Sequence, residues 1–312
     1  MTESDLKTKS NTKPTSKPIQ KPILKPTQKT ASRSGSGKGM GIISPRRKVE
    51  LDPNAFYFKE LLEKAGHTVY RNEWKYQLSD PEAELLKQRL EPFMTLDPHA
   101  VDGSYFIRSL YFDDWRDSAY NEKLMGVMHR KKWRIRIYNC SSDVISLERK
   151  VKTGNYIHKE SAKLSLEEYW KIIDGDYLFL LKKPENLCGE FYAELVGNLL
   201  RPKVIVDYDR IPLILDEGTV RITFDMNVRA ALGGFDIFDS GLPTLPAMEP
   251  CRQILEVKYT EFIPQLIKQL LPPDGGEFTA FSKYTMCYEA AHHITDPTAG
   301  LSKFGAVRHG KN

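Results

Sequence analysis

Polar and apolar side chains alternate along residues 127–152, and this stretch carries the strongest structural signal in the chain. In its first half Arg134 and Arg136 fall on one face, while the intervening positions are apolar. In its second half Lys150 and Lys152 share a face in the same way. A period of two is typical of a β-strand with one buried face, and the short polar turn between the halves predicts a hairpin. The four cations would then form one patch, which indicates an anion site.

Similar patterns recur along the chain and predict an α+β fold. Sequential strands separated by turn signals favour antiparallel pairing, and eight strands are enough to close a barrel. On most of these strands ionisable residues gather on one face and apolar residues on the other. We therefore expect an eight-stranded antiparallel β-barrel with a polar lumen and with helices packed outside, whereas ordinary small barrels have apolar interiors. The predicted strands are residues 69–78, 104–113, 127–139, 143–153, 203–210, 211–216, 219–226 and 252–259.

Apolar spacing and capping signals predict the helices that cover this barrel. Ser79 and Glu82 have the spacing of a capping box, and so do Ser165 and Glu168. Residues 230–250 are rich in Gly and Pro and predict a long loop. The predicted helices are residues 54–67, 80 to about 94, 114–126, a helix that begins after Ser165, 176–182, 187–200, 262–271 and 282–294.

Charge separates a basic N-terminal stretch from a mildly acidic remainder. Residues 1–50 contain twelve Lys and Arg against three Asp and Glu, so they account for +9 and leave −4 for the remainder of a chain whose total is +5. Because Lys-Pro recurs there every four residues, we expect a disordered basic arm, with peripheral contact to an acidic surface as its candidate role. Residues 51–295 would form the folded domain and 296–312 a flexible tail. The acidic balance of the folded part argues against a sequence-specific nucleic-acid binder.

Several common classes of protein are disfavoured. The four cysteines lie far apart without a CxxC pair, which argues against a zinc site or a disulfide framework. No apolar run approaches the roughly 18 residues of a membrane span, and the N-terminus lacks the apolar core of a secretory signal. We therefore expect a cytoplasmic protein without a transmembrane segment. The Gly-rich run at 35–40 lies in the arm, so it does not predict a P-loop.

The residues that face the lumen indicate phosphate chemistry. Burying several unpaired cations would cost several kcal/mol each, by an order-of-magnitude estimate. A polyanion can compensate them, since phosphate oxygens suit Arg forks and Lys ammonium groups. The few acids are sufficient to hold a divalent metal together with substrate phosphates. The inward set is Glu73, Lys75, Arg134, Arg136, Glu148, Lys150, Arg210, Arg221 and Glu256, with Lys258 close by and Lys159, Lys163, Ser282 and Lys283 on flanking segments.

At these positions the chain resembles the VTC domain, the polyphosphate polymerase branch of the triphosphate tunnel metalloenzyme, or CYTH-like, superfamily. The resemblance covers roughly residues 68–295. It implies an eight-stranded antiparallel tunnel with basic walls, a metal-binding glutamate, and transfer of the γ-phosphate of ATP to a growing polyphosphate chain. The motifs that carry it are SLYFD (109–113), RIRIY (134–138), LERK (147–150), YDR (208–210), VRITFD (220–225), LEVK (255–258) and FSKY (281–284).

Carried over position by position, the resemblance implies a site. Glu256 would bind Mn²⁺ or Mg²⁺. One of Lys159 and Lys163 corresponds to a further phosphate-binding lysine, and the spacing does not decide between them. The expected catalytic set is Lys75, Arg134, Arg136, Lys150 and Arg210, and the expected substrate-binding set is Tyr208, Lys159, Lys163, Arg221, Lys258, Ser282 and Lys283.

The sequence also departs from the wider superfamily. Its first strand would begin with Glu-x-Glu-x-Lys, whereas this chain has Arg71 at the first of these positions. The loss weakens the case for two-metal hydrolysis. The SPX regulatory domain and the membrane segments of yeast-type proteins are not expected here, so neither is product translocation by this chain alone. Two alternatives to the polymerase stay open, a tri- or polyphosphatase in the same tunnel and a non-catalytic polyphosphate or nucleotide sensor.

Overall fold

The computed structural model describes residues 72–100, 102–154, 156–260, 262–272 and 281–295. The expected basic arm, the first expected helix, Arg71 and the C-terminal tail lie outside these residues, so those expectations stay predictions.

Ten strands and six α-helices make up the described part of the chain. The strands are β1 (Asn72–Ser79), β2 (Thr95–Leu96), β3 (Tyr105–Asp113), β4 (His129–Tyr138), β5 (Ser141–Thr153), β6 (Tyr156–Leu164), β7 (Arg201–Leu215), β8 (Val220–Ala231), β9 (Thr244–Pro246) and β10 (Arg252–Tyr259). The helices are α1 (Asp80–Leu90), α2 (Ser118–Leu124), α3 (Leu166–Asp174), α4 (Asn186–Gly197), α5 (Gln265–Leu270) and α6 (Lys283–Thr295), with short 3₁₀ turns at Leu178–Lys182 and Glu217–Thr219.

Eight strands form one antiparallel sheet in the order β1, β10, β8, β7, β3, β4, β5, β6. The short strands β2 and β9 add to β7 and β8 away from this path. Cα atoms of the two outermost strands, β1 and β6, come within 8 Å of each other, so the sheet curves around a central space. The expected α+β tunnel fold of eight antiparallel strands is therefore confirmed.

Two strand assignments were wrong, although the main path of the sheet has the expected eight strands. The two strands expected over 203–216 are one continuous strand, β7. Pro212 is accommodated within β7 because its carbonyl accepts from the Asp97 N–H at 3.0 Å, at the edge beyond the end of the β3 ladder, so its missing N–H removes no hydrogen bond from the β8 ladder. The sequence reading also missed β6, because Glu160 lies on its outward face against Arg149 while apolar Ile157 lines the lumen. Its two faces are therefore not separated by polarity.

Helices seal the apolar outside of the sheet. Helices α3 and α4 cover one cluster, in which Phe191 of α4 packs edge-on against Phe112 and beside Trp133. Helix α1 covers a second cluster with α5, and Ile267 of α5 is buried there. The capping box at Ser165 forms as expected and fixes the start of α3, since the Ser165 Oγ accepts from the Glu168 N–H at 3.1 Å.

Helix α6 is the exception, because it packs on the concave face of the sheet. Its Tyr284 and Cys287 lie in one buried cluster with Val206 and Ile254. These positions belong to the same strand faces as the lumen residues further along β7 and β10, so part of the expected polar lumen is filled with apolar side chains. The remaining charged part is therefore closed from one side by the start of α6.

Among the described residues, no helix is both long enough and apolar enough to cross a lipid bilayer.

The outer cluster predicts a stability effect. Phe191 is fully buried against two aromatic neighbours, so we expect Phe191→Ala to lower the free energy of unfolding by about 3–5 kcal/mol. Chemical denaturation measures this loss. Leu181, which is 56% exposed, provides the control, and its replacement by alanine should change the stability by less than about 0.5 kcal/mol. Equal losses for the two variants would contradict the proposed packing.

Candidate functional site

The central space of the sheet holds a charged cavity of about 270 Å³. Eleven Lys and Arg residues line it, against two glutamates. Predicted residues brought together there are Lys75, Arg134, Arg136, Lys150, Tyr208, Arg210, Glu256, Lys258, Ser282 and Lys283, with Glu73. Lys152, which was predicted as one of the four cations of the hairpin patch, also lines the cavity. Lining residues absent from the predictions are Tyr111, Lys123, Arg130, Lys132, Ile157, Phe281 and Tyr284.

Glu256 lies at the centre of the lumen charges. The antiparallel register places it directly opposite Lys75, and its carboxylate lies 3.0 Å from the Nζ atoms of Lys75 and Lys283 and 2.6 Å from that of Lys258. Burial works to raise the pKa of Glu256, but attraction by Lys258, Lys283, Lys75 and Arg210 outweighs it and holds the pKa well below the usual range. Glu256 is therefore ionised although only 5% of it is exposed.

Asp225 neutralises the neighbouring cations. It stands opposite Arg210 in the β7–β8 register, and the two form a bidentate pair with Nε–Oδ1 and Nη2–Oδ2 distances of 2.6 and 2.7 Å. Lys283 Nζ lies 2.5 Å from the same carboxylate. Burial opposes ionisation of Asp225, yet Arg210 and Lys283 lower its pKa. Because this bidentate pair fixes the orientation of the Arg210 guanidinium, the group is preorganised to bind an anion in the cavity.

A third carboxylate, Glu148, organises the opposite wall. Arg134 donates through Nε to Glu148 Oε2 at 2.7 Å, across the β4–β5 register. Arg134 Nη1 also donates to the Tyr111 hydroxyl at 2.9 Å. Arg136 donates through Nη2 to the Tyr208 hydroxyl at 3.0 Å. Both guanidinium groups are therefore held by neighbours on the wall.

Glu73 links the first strand to the hairpin. Its carboxylate lies 2.8 Å from Lys150 Nζ and 3.0 Å from Lys75 Nζ. Burial would raise the pKa of Glu73, but Lys150 and Lys75 lower it below the usual range. This pair of contacts connects β5 with β1, the two sides of the curved sheet.

The other end of the cavity carries uncompensated positive charge. Lys123, Arg130, Lys132 and Lys152, here called the cationic end, line it, and in the described part of the chain none of them forms an ion pair with a carboxylate. Burial, followed by repulsion from other cations, lowers the pKa of Lys123, and the same two causes lower that of Lys132 well below its usual value. An anion bound here would raise the pKa of both lysines, because it would attract their ammonium groups.

Three predicted residues lie away from the cavity lining. Lys159 reaches Glu148 Oε1 at 3.0 Å with half of its side chain exposed, which puts it at the rim of the lumen. Lys163 is exposed on the same strand, opposite Ser146. Arg221 lies at another part of the sheet, where Nη2 contacts Asp97 Oδ2 at 2.8 Å. The geometry thus favours Lys159 over Lys163 as a lumen lysine.

A divalent cation fits the carboxylates of the lumen only with help from a ligand. Among the described residues, no group of three or more His, Cys, Asp or Glu side chains is placed to hold a metal. Glu73 and Glu256 are both ionised, and each lies 3.0 Å from Lys75 Nζ. Mg²⁺ and Mn²⁺ accept one or two carboxylates and complete their shells with phosphate oxygens and water. Glu256, with Glu73 beside it, is therefore suited to hold a metal that arrives with phosphates.

Signals for some of the missed residues were present in the sequence. Arg130 and Lys132 continue the alternation that starts at Arg134, so extending the period by four residues would have found them. Asp225 follows Arg221 and Thr223 on one face of β8. Lys123 lies on α2, and no local pattern indicates that this helix borders the lumen.

Comparisons with solved structures give distant similarities. A Bacillus halodurans protein proposed to be an adenylate cyclase is 11% identical, with 78% of this chain and 95% of that one covered and a TM-score of 0.40. A Hippeastrum protein described as having a dominant triphosphatase activity is 15% identical, with 71% and 95% covered and a TM-score of 0.43. A Pyrococcus horikoshii protein is 13% identical, with 70% and 99% covered and a TM-score of 0.40.

A protein-family comparison is more decisive. No curated protein matches the chain. The family model described as the VTC domain, however, matches residues 70–292. This span is well over half of the chain and contains every strand described above. The chain therefore belongs to the VTC domain family.

Proposed function

We propose that this protein is an ATP-dependent polyphosphate polymerase that requires Mn²⁺ or Mg²⁺. Membership of the VTC domain family supports a polyphosphate-related tunnel enzyme in general, and the polymerase is the finer assignment. The observation that carries it is the charge of the lumen. Eleven Lys and Arg side chains line one cavity, and among the described residues four carboxylates, Glu73, Glu148, Asp225 and Glu256, contact them. An excess of seven basic side chains over carboxylates suits a chain of phosphates better than a single small anion.

The two zones of the cavity suggest a division of labour. Near Glu256 the cations are paired and held in fixed positions, which suits the transferring phosphoryl group. At the cationic end the charges are unpaired, so this part attracts the remaining phosphates of the substrates. Lys150 lies between the two zones, since it pairs with Glu73 and also repels Lys132.

Phosphoryl transfer in such a site depends on positioning and charge stabilisation. A terminal oxygen of the polyphosphate chain attacks the γ-phosphorus of ATP, the bond from that phosphorus to the β-phosphate bridging oxygen breaks, and ADP leaves. The chain is longer by one phosphate. Arg134, Arg136 and Arg210 would bind the equatorial oxygens of the transferring group. A metal at Glu256 would supply further charge neutralisation when bound.

Product analysis tests this proposal. The purified chain is incubated with ATP and Mn²⁺, and the phosphate products are sized on a gel while ADP is quantified. We expect long chains with one ADP released for each phosphate added. Release of orthophosphate without chains would assign a hydrolase to the same lumen. Binding without turnover, unchanged by Glu256→Gln, would indicate a sensor.

We expect Arg134→Ala and Lys150→Ala each to reduce chain synthesis by at least about 100-fold, because each removes a charge-assisted contact to phosphate inside the lumen. The rate of chain synthesis is the measurement. Lys131→Ala is the matched control for Arg134→Ala, since Lys131 lies on the same strand but faces outward and pairs with Glu194. Normal synthesis by either lumen variant would show that the site is misplaced.

The lowered pKa of Lys132 predicts proton uptake on binding. Burial and then Lys150, Lys123, Lys75 and Arg130 lower this pKa in the free protein, whereas a bound polyanion should raise it. Affinity for tripolyphosphate should therefore fall as the pH rises through the interval between the free and bound pKa values.

Calorimetry in buffers of different ionisation enthalpy measures this uptake directly. Lys132→Arg keeps the charge but does not titrate in this range, so it should bind with less proton uptake and a flatter pH profile. Identical uptake by the variant and the wild type would exclude Lys132 as the source.

A further inference from the structure

A second cavity opens beside the lumen, between α2 and α6. Its volume is about 300 Å³, at the lower end of the roughly 300–1,000 Å³ found for small-molecule sites. It shares Lys123, Phe281 and Ser282 with the charged cavity, so the two spaces are adjacent. We call it the α2–α6 cleft.

The chemistry of the α2–α6 cleft differs from that of the lumen. Leu124, Phe281 and Met286 give it an apolar, partly aromatic lining, and Glu289 places a carboxylate at its far side. This carboxylate would repel phosphate, but it can accept hydrogen bonds from hydroxyl or amino groups. A ligand that fits both spaces therefore combines a flat, partly apolar group bearing hydrogen-bond donors with a polyanionic tail.

The walls of the cleft are held in place by contacts between α2 and α6. The Tyr120 hydroxyl donates to Glu289 Oε1 at 3.1 Å, and the ring centroids of Tyr120 and Tyr288 are 4.6 Å apart. The Tyr284 hydroxyl donates to buried Asp113 at 2.7 Å, which ties the first turn of α6 to the end of β3. The cleft is thus formed before any ligand binds, which limits the entropy lost on binding.

Spacing along α6 matches such a ligand. Ser282, beside the lumen, and Glu289, at the far side of the cleft, are seven residues apart, or about 10 Å along a helix. Among the described residues no carboxylate pairs with Lys132 Nζ, which donates to the Ser282 hydroxyl at 2.8 Å, so the phosphate-binding charges begin where the cleft ends.

We propose that the α2–α6 cleft binds the nucleoside of the donor nucleotide, with the base against Phe281 and Met286 and with base or ribose donors facing Glu289. The triphosphate then enters the lumen past Lys123 and Ser282. This inference rests on the proposed use of a nucleotide as phosphoryl donor. It assigns a nucleoside subsite that inorganic polyphosphates do not occupy, so the cleft selects nucleoside triphosphates over inorganic triphosphate as the donor.

A pair of ligands tests the cleft without any turnover. The affinities of the full chain for ATP and for inorganic tripolyphosphate are measured by calorimetry in EDTA. Loss of base–aromatic stacking corresponds to about 1–3 kcal/mol, or roughly 5- to 150-fold. Phe281→Ala should therefore weaken ATP by at least about fivefold and leave tripolyphosphate within about twofold. Its backbone carbonyl, which accepts from Lys75 Nζ at 3.3 Å, is retained in the variant.

Two further variants control for misfolding of Phe281→Ala. Met286→Ser should show the same selective loss, and Leu178→Ala, an exposed position on the outer surface, should change neither affinity. Unchanged ATP affinity, or equal losses for both ligands, would overturn the proposal. If the variants lose ATP affinity selectively but the wild type makes no chains from ATP, the nucleoside site is supported and the polymerase is rejected. If the wild type makes chains but the variants bind ATP normally, the polymerase is supported and the nucleoside site is rejected.

Discussion

Positive charge that is buried in the lumen must be compensated, and this requirement determines how the strands of the sheet are paired and covered. Lys and Arg side chains that leave bulk water lose hydration, and the loss is tolerable only where ion pairs or hydrogen bonds replace it. The strand register supplies the partners, since it sets Lys75 against Glu256 and Arg210 against Asp225. Cross-strand pairs therefore hold the cations in fixed positions while leaving a net positive cavity. The positive charge that the carboxylates do not compensate can be compensated by a bound anion.

The scaffold stabilises this arrangement by apolar packing on the opposite faces of the strands. Two outer clusters, under α3 with α4 and under α1 with α5, bury the opposite faces of the strands that carry the charges. Helix α6 adds a third cluster on the concave face and delivers Lys283 to the two central carboxylates. Apart from this third cluster, apolar packing and charged groups lie on opposite strand faces, so that substitutions in the charged part of the lumen need not unfold the protein.

Much of this organisation could be predicted from strand alternation, because a period of two assigns each side chain to a face without knowledge of the fold. Arg134, Arg136 and Lys150 were placed correctly in space on that basis. Strand β6 was not predicted, because its charged Glu160 faces outward to Arg149. The position of Lys123 could not be predicted, since it depends on how α2 packs beside the lumen. The pairing of Asp225 with Arg210 could not be predicted either, because it is a consequence of register, which local patterns do not determine.

A crystal structure of the protein with tripolyphosphate and Mn²⁺ would show whether the inward cations hold a chain of phosphates. We expect phosphate density inside the lumen, within hydrogen-bond distance of Arg134, Arg136, Lys150 and Arg210, with the anomalous signal of manganese beside Glu256. Phosphate bound only on the outer surface, with the lumen filled by water alone, would contradict this expectation.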